Sequence, residues 1–313
     1  MVKTAVLMAT YNGSQFIEKQ LDSIRKQTLA PDYVLMRDDC STDDTVEVVK
    51  NYIQKYNLSG WSIQRNASNL GWRLNFRQLM LDVVSYDVDY IFFSDQDDIW
   101  YLDKNERQVT VMEERQDIDL LSADADLEVL NDKADAPEWP EFVNSKTDRV
   151  SKYPKVFKYV SYRPGFVMCL RKSFSDLVVR NMDANIGTTH DNLFSGIAGF
   201  IEKGYNLNQS VAIHKRHGEN ASGHLLTFRS PNSEHIKVLS NMYSYYSTFN
   251  NVLLDLGNNF SDSSAKYVAF YRRRLENAQK RNLMGTVLQM LTEFKFYENF
   301  PNYVKDLVFL FKK

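Results

Sequence analysis

The stretch "DYIFFSDQDDIW" (residues 89–100) sets the apolar run Tyr90-Ile91-Phe92-Phe93 directly against Asp95, Asp97 and Asp98. A buried strand that ends in like charges needs a reason. Side by side, carboxylates repel and raise each other's pKa. A solvated turn relieves the strain, each Asp accepting from nearby backbone N–H groups. A divalent cation relieves it too, because hard ions such as Mg2+ and Mn2+ favour oxygen ligands, commonly one or two carboxylates plus phosphate oxygens. On an extended chain alternate residues point the same way, so Asp95 and Asp97 can aim at one point.

Upstream, short apolar runs alternate with helical patterns. Strands are expected at 4–10, 33–37, 61–65 and 89–94, and helices at 14–27 (capped by Ser14), 43–56 and 72–85. This spacing predicts an α/β fold: a Rossmann-like, mostly parallel sheet flanked by helices and joined by right-handed crossovers. Beyond it come a helix at 103–116, a strand at 118–130 and a polar loop or lid at 131–152. A strand follows within 156–174, around the Pro164-Gly165 turn. Thr189 caps a helix that stops at Gly204, and a strand then leads into the polar loop of 210–223. From 234 the chain reads as helices, a C-terminal helical extension. The expected division is a catalytic domain over 1–230, with a nucleotide half (1–100) and an acceptor half (101–230), and a helical, basic extension over 231–313.

The totals bound the class. The chain has 313 residues, 43% hydrophobic and 25% charged, with a net charge of −2, so composition suggests no nucleic-acid partner. Two cysteines, Cys40 and Cys169, exclude a disulfide framework and a cysteine zinc site and fit a reducing cytoplasm. The first apolar run is too short for a signal peptide, and no stretch is long enough to span a membrane.

In open α/β sheets ligands bind beyond the carboxyl ends of the strands. That rule puts "TYNGS", "RDDCSTDD", "NASNLGW" and "SDQDDIW" on one rim. Tyr11 can stack on a base, while Asn12 can simply make the turn. Asp39 can accept from a base or ribose, or cap the next helix. Asp38, Asp43 and Asp44 read as capping or solvated. Asn69, Gly71 and Asn75 open a helix whose N-terminus favours anions, and Arg73 in its first turn can meet a phosphate or lie in solvent. Asp191 is either a first-turn acid stabilised by the helix dipole or a general base. His190 beside it reads more readily as structural. His214, Arg216 and His217 share an extended stretch: His217 can complete a metal site and Arg216 can neutralise a leaving diphosphate, or the stretch is a solvated basic loop.

In this order, "ATYNGSQFIEKQLDSIRKQT", "RDDCSTDDT", "NLGWRLNF", "SDQDDIW", "HDN" and "RHGEN" resemble the family 2 glycosyltransferases over residues 3–223. "DQDDIW" and "RHGEN" are similar to the subgroup with bacterial rhamnosyltransferases of cell-wall and O-antigen polysaccharides. The resemblance implies a GT-A fold and an inverting, metal-dependent transfer from a nucleotide sugar. Through it Thr10, Tyr11 and Asp39 would hold the nucleotide, Asp95 would lie near the ribose, and Asp97 would ligate Mg2+ or Mn2+. His217 would sit near the metal and Asp191 would be the base. The implied donor is dTDP-rhamnose, with UDP-glucose, UDP-galactose or UDP-GlcNAc as alternatives. The implied acceptor is a saccharide, polyprenyl-diphosphate-linked in one reading. Two departures stand out: Cys40 replaces the usual glycine of "DDGS", and "YLDK" (101–104) replaces "LPDK".

Two other classes fit the sequence less well. A nucleotidyltransferase would carry a basic Gly-rich loop after the first strand, which "TYNGS" is not. A non-catalytic carbohydrate-binding paralogue would have lost Asp95, Asp97 or Asp191. Residues 266–313 hold ten Lys or Arg against four acids. In "YVKDLVFLFKK" (303–313), Tyr303, Val304, Leu307, Val308 and Phe311 share a helical face. Such a basic amphipathic segment fits peripheral contact with the inner face of the cell membrane, or packing as in a homodimer.

Overall fold

Strands covered on both faces need continuous apolar runs, and "AVLM" (5–8) and "YIFF" (90–93) supply them. The computed structural model describes residues 2–129, 139–183, 187–216 and 226–312. In it both runs are buried throughout. β1 (Thr4–Thr10), β2 (Tyr33–Asp38), β3 (Trp61–Arg65) and β4 (Tyr90–Ser94) lie parallel in the order β3-β2-β1-β4. Helices α1 (Ile17–Arg25), α2 (Thr45–Tyr56) and α3 (Trp72–Asp82) return the chain between them. The chain divides into two compact units, Met1–Val179 with Thr189–Ala221, and Arg180–Thr188 with Ser222–Lys313.

In the first unit the sheet then turns mixed. β5 (Ile99–Trp100), α4 (Lys104–Glu114), β6 (Leu120–Val129), β7 (Val150–Lys152) and β8 (Cys169–Arg171) are followed by α5 (Lys172–Arg180), α6 (His190–Phe200) and β9 (Gly204–Arg216). Beyond β4 the order runs β8-β6-β9-β5, with β7 also on β9. β8 is antiparallel to β4 and β6, β5 is antiparallel to β9, and β6 runs parallel to β9.

The structure corrects three sequence expectations. Ser14 does not cap α1: the helix begins at Ile17, and the Ser14 N–H goes to Asp43 Oδ2 at 3.0 Å. The strand expected within 156–174 shrinks to a one-turn helix at Gly165–Val167 and the three residues of β8. Helix begins already at Lys172, because Phe174, Leu177 and Val178 recur at helical spacing and are buried. α3 ends at Asp82, with a tighter turn at Val83–Ser85. Lys104, from the aberrant "YLDK", is fully buried; its ammonium lies 3.9 Å from the Trp100 ring centre and donates to Gln108 Oε1 at 3.0 Å.

The second unit contains α7 (Asn232–Asp255), α8 (Ser261–Lys280), α9 (Leu283–Thr292) and α10 (Phe300–Phe309). Tyr245, Tyr246, Phe249, Phe270 and Tyr271 fill its interior. A charge sits among these rings. Arg274 forks onto Asp306 at 2.7 and 2.8 Å, Tyr297 donates to the same carboxylate at 2.8 Å, and His235 Nε2 lies 3.2 Å from it. The α10 surface facing inward is set by Asp306 and Phe309; of the expected apolar face, Tyr303, Val304, Leu307 and Val308 are partly buried and Phe311 is exposed. Among the described residues no helix is long and apolar enough to cross a membrane.

Burial pushes the Asp306 carboxyl up, but Arg274, His235 and Tyr297 together hold it below its ordinary 3.8. A depressed folded pKa contributes stability above the unfolded value, and that contribution is lost as pH falls through the folded one. Arg274→Met leaves Asp306 buried without its counter-charge and is expected to lower urea stability at pH 7 by about 3–5 kcal/mol. Adding Asp306→Leu is expected to recover most of that loss.

Candidate active site

Parallel strands that end together leave polar loops side by side, and here each loop is tied to the next. From β1, the Asn12 N–H donates to Ser41 Oγ at 2.9 Å, and the Gly13 N–H to Thr45 Oγ1 at 2.8 Å. Asn12 adopts φ +46°, and its side-chain oxygen accepts from the Thr42 N–H at 2.8 Å. Donors on Ser14 and Thr45 hold Asp43 at about 2 against the burial that raises it. Thr10 is buried, with its hydroxyl 3.2 Å from Asp38 Oδ1.

Asp39 ties the second loop to the third. It is only 2% exposed, and its oxygens accept from the N–H groups of Leu70 (2.7 Å) and Gly71 (2.8 Å) and from Asn66 Nδ2 (2.9 Å). Asn69 donates back to the Asp39 carbonyl at 3.0 Å. Asn75 is buried, joining Asn66 to the Arg37 carbonyl. Thr10, Asp39, Asn69 and Asn75, expected at the ligand, also brace the rim, as does Asp38, expected as capping or solvated. Cys40 takes the left-handed backbone that the missing glycine would have allowed freely, at φ +65°. Its thiol donates to the Asn66 carbonyl at 3.2 Å.

The fourth loop holds the carboxylates. Gln96, between Asp95 and Asp97, accepts from the Tyr11 N–H at 2.9 Å and donates to the Tyr11 carbonyl at 2.8 Å. A side chain on Gly13 would run into the end of the Gln96 side chain and displace this clamp. The clamp leaves the Tyr11 ring 47% exposed beside the acids. Asp98 is buried; Oδ1 lies 2.7 Å from His214 Nδ1 and 3.2 Å from the Lys215 N–H, while Oδ2 has no hydrogen-bond partner. His214 in turn stacks on Phe166, ring centres 4.9 Å apart. Burial pushes the Asp95 carboxyl well above its ordinary value, and Asp98, Asp97 and Asp191 push it further, in that order. The fold thus brings Asp98, Asp97 and Asp191 within electrostatic reach of Asp95. Among the described residues no three His, Cys, Asp or Glu side chains form a ready-made metal cage. His217 lies outside the described residues.

Asp191 arrives on α6. Thr189 caps that helix as expected, accepting from the Asn192 N–H at 3.3 Å, and Asp191 Oδ1 accepts the same N–H at 2.9 Å. His190 is buried between Phe76 (4.1 Å) and Phe93 (4.4 Å), and any side chain on Gly165 would collide with its ring. Burial pushes this imidazole down to about 4 despite Asp191, so it is neutral at pH 7 and packs the helix start. Arg73 and Arg77 lie one turn apart on α3, on either side of Phe76; their Nε atoms have no hydrogen-bond partner. Gln96, Asp98, His214 and Arg77 were not assigned roles from sequence. Only Arg77's spacing from Arg73 gave a signal; the others depend on contacts between distant segments.

The model of Glycosyl transferase family 2 matches residues 5–177. The dTDP-rhamnosyl transferase RfbG of Shigella flexneri is 43% identical over 98 residues, 31% of this chain and 34% of that protein. The poly(ribitol-phosphate) beta-N-acetylglucosaminyltransferase TarS of Staphylococcus aureus is 31% identical over 106 residues, 33% of this chain and 17% of that protein. The matches thus span about a third and about a sixth of these relatives. The structure of S. aureus TarS 1-349 with UDP-GlcNAc superposes with a TM-score of 0.58 at 16% identity, covering 98% of this chain and 80% of that one. GalNAc-T7 with UDP, GalNAc and Mn2+ gives 0.54 at 14%, covering 80% and 51%. At such identities the likeness is one of fold, the GT-A arrangement. With more than half of its length matched by the family model, the chain belongs to glycosyl transferase family 2.

Proposed function

We propose that this chain is an inverting, metal-dependent glycosyltransferase that moves L-rhamnose from dTDP-rhamnose to a saccharide acceptor in bacterial surface-polysaccharide synthesis. The observation that carries the chemistry is the cluster of Asp95, Asp97 and Asp98 after β4 with Asp191 of α6 acting on it, Asp95 being pushed well upward by burial and by the other three. Rhamnose is favoured by the 43% identity to the Shigella protein. The fold shared with TarS in its UDP-GlcNAc complex favours a second reading, a UDP-sugar donor. In either reading the acceptor is a saccharide, free or polyprenyl-diphosphate-linked, and the enzyme works in the cytoplasm.

The residues present fit a hard divalent cation. Asp98 Oδ2 is buried without a partner, and the acids beside it are all oxygen donors. Asp95 and Asp97 would hold Mg2+ or Mn2+ together with the donor diphosphate, and His217 would complete the set. The chemistry such an ion supplies is neutralisation of the departing diphosphate. Asp98 and His214 keep the acidic loop in place. Tyr11 stacks on the base, and Arg73 faces the phosphates.

Asp191 takes the proton from the acceptor hydroxyl. The freed oxygen attacks the anomeric carbon, the bond from that carbon to the diphosphate oxygen breaks, and its electron pair leaves with the nucleoside diphosphate. Attack from the opposite face inverts the anomeric centre. His190, neutral and packed, holds the helix that carries the base.

Asp191→Asn is expected to lower transfer by about 10²–10⁴-fold while leaving intact the rise in melting temperature produced by the nucleoside diphosphate. Equal loss of both would make Asp191 a donor-site residue. Asp97→Ala is expected to abolish the extra rise in melting temperature that Mn2+ gives with that nucleotide, measured by thermal shift. Across a panel of nucleotide sugars, metal-dependent nucleotide release is expected from dTDP-rhamnose; release from UDP-GlcNAc instead selects the second reading.

A further inference from the structure

Helix α9 is inside out. Its buried residues are polar: Thr286 and Gln289 face inward, and Gln289 donates to the Phe270 carbonyl at 3.1 Å and accepts from Asn277 Nδ2 at 3.0 Å. Its outward residues are apolar. Met284 is 84% exposed, Leu291 69% and Leu288 63%, with Leu283 and Val287 also exposed and Phe294, 66% exposed, just beyond the helix end. At 3.6 residues per turn the five helical side chains share an arc of about 140°. A contiguous apolar face of this kind marks an interaction surface. Polar anchors beneath it mean that the helix cannot roll over to hide it.

The charge around the face selects its occupant. No acid occurs from Asn277 to Thr292, a stretch that contains Lys280 and Arg281. Among the described residues neither of these cations makes an ion pair, and both are exposed. The first acid beyond, Glu293, is already bound to Arg273. A second copy of this chain, docked by two-fold symmetry on this face, would bring cation against cation. An anionic lipid surface offers the opposite charge and an apolar layer for the leucines to enter.

We propose that α9 and Phe294 form a membrane-docking face, seated on an anionic leaflet with Lys280 and Arg281 among the headgroups. It deepens the reading of a lipid-linked acceptor, but its geometry does not depend on the donor. The test is sedimentation of the full chain with vesicles of phosphatidylcholine and phosphatidylglycerol in equal parts, beside pure phosphatidylcholine vesicles. Binding to the anionic vesicles alone is expected. Leu288→Ser with Leu291→Ser is expected to abolish it, and Lys280→Gln with Arg281→Gln to weaken it by about tenfold. Circular dichroism and vesicle-free nucleotide release should stay unchanged in all of these variants, which separates failure of docking from failure of the donor reading. Absence of binding by the intact chain overturns the proposal; a solution dimer broken by the serine pair would then give the face to a second copy. Binding that survives the serine pair overturns it as well.

Discussion

Carboxylates that must stand close together repel, and most of the first unit's rim is arranged around keeping them in place. Asp95, Asp97 and Asp98 follow a strand that cannot shift, because Phe92 and Phe93 are buried on a sheet covered on both faces. Asp98 is held by His214 and the Lys215 N–H, and Gln96 grips the backbone of Tyr11. The acidic loop is thereby fixed to β9 on one side and to the first loop on the other. Rigid placement of like charges raises the cost of ionising them together, and Asp95 is pushed upward for that reason.

That requirement divides the polar residues of the rim by their employment. Asp39, Asn66, Asn69 and Asn75 spend their hydrogen-bonding capacity on each other's loops. Tyr11 keeps its ring outward, and Arg73 and Arg77 keep their guanidinium Nε atoms without partners. The first group sets the shape of the loops that follow β2 and β3, while the Tyr11 ring stays exposed beside them. Cys40 shows how tightly the shape is specified, since a residue with a side chain accepts a left-handed backbone rather than alter the turn.

In the second unit the ordinary distribution is reversed twice. Arg274 and Asp306 place a charge pair among tyrosines, and α9 turns Thr286 and Gln289 inward while its leucines face out. Arg274 with Asp306, and Gln289 with the Phe270 carbonyl and Asn277, are hydrogen-bonded on the inside, which makes their burial tolerable. Polar groups satisfied in this way fix orientation more strictly than apolar ones would, and in α9 that orientation leaves the apolar side exposed.

The alternation of apolar runs with helical patterns in residues 1–100 was enough to place four strands nearly to the residue, because a strand buried on both faces admits no other composition. The acids after "YIFF" and the cap at Thr189 were equally local and equally legible. What the sequence could not determine was which of the rim residues would be consumed by their neighbours. Nothing in the letters around Asp39 says that its oxygens accept from the N–H groups of Leu70 and Gly71, more than thirty positions away. The antiparallel β8, the pairing of Asp98 with His214 across 116 positions and the inverted face of α9 share that character. Each follows from a contact between segments that local periodicity treats separately, so only the tertiary structure could decide it.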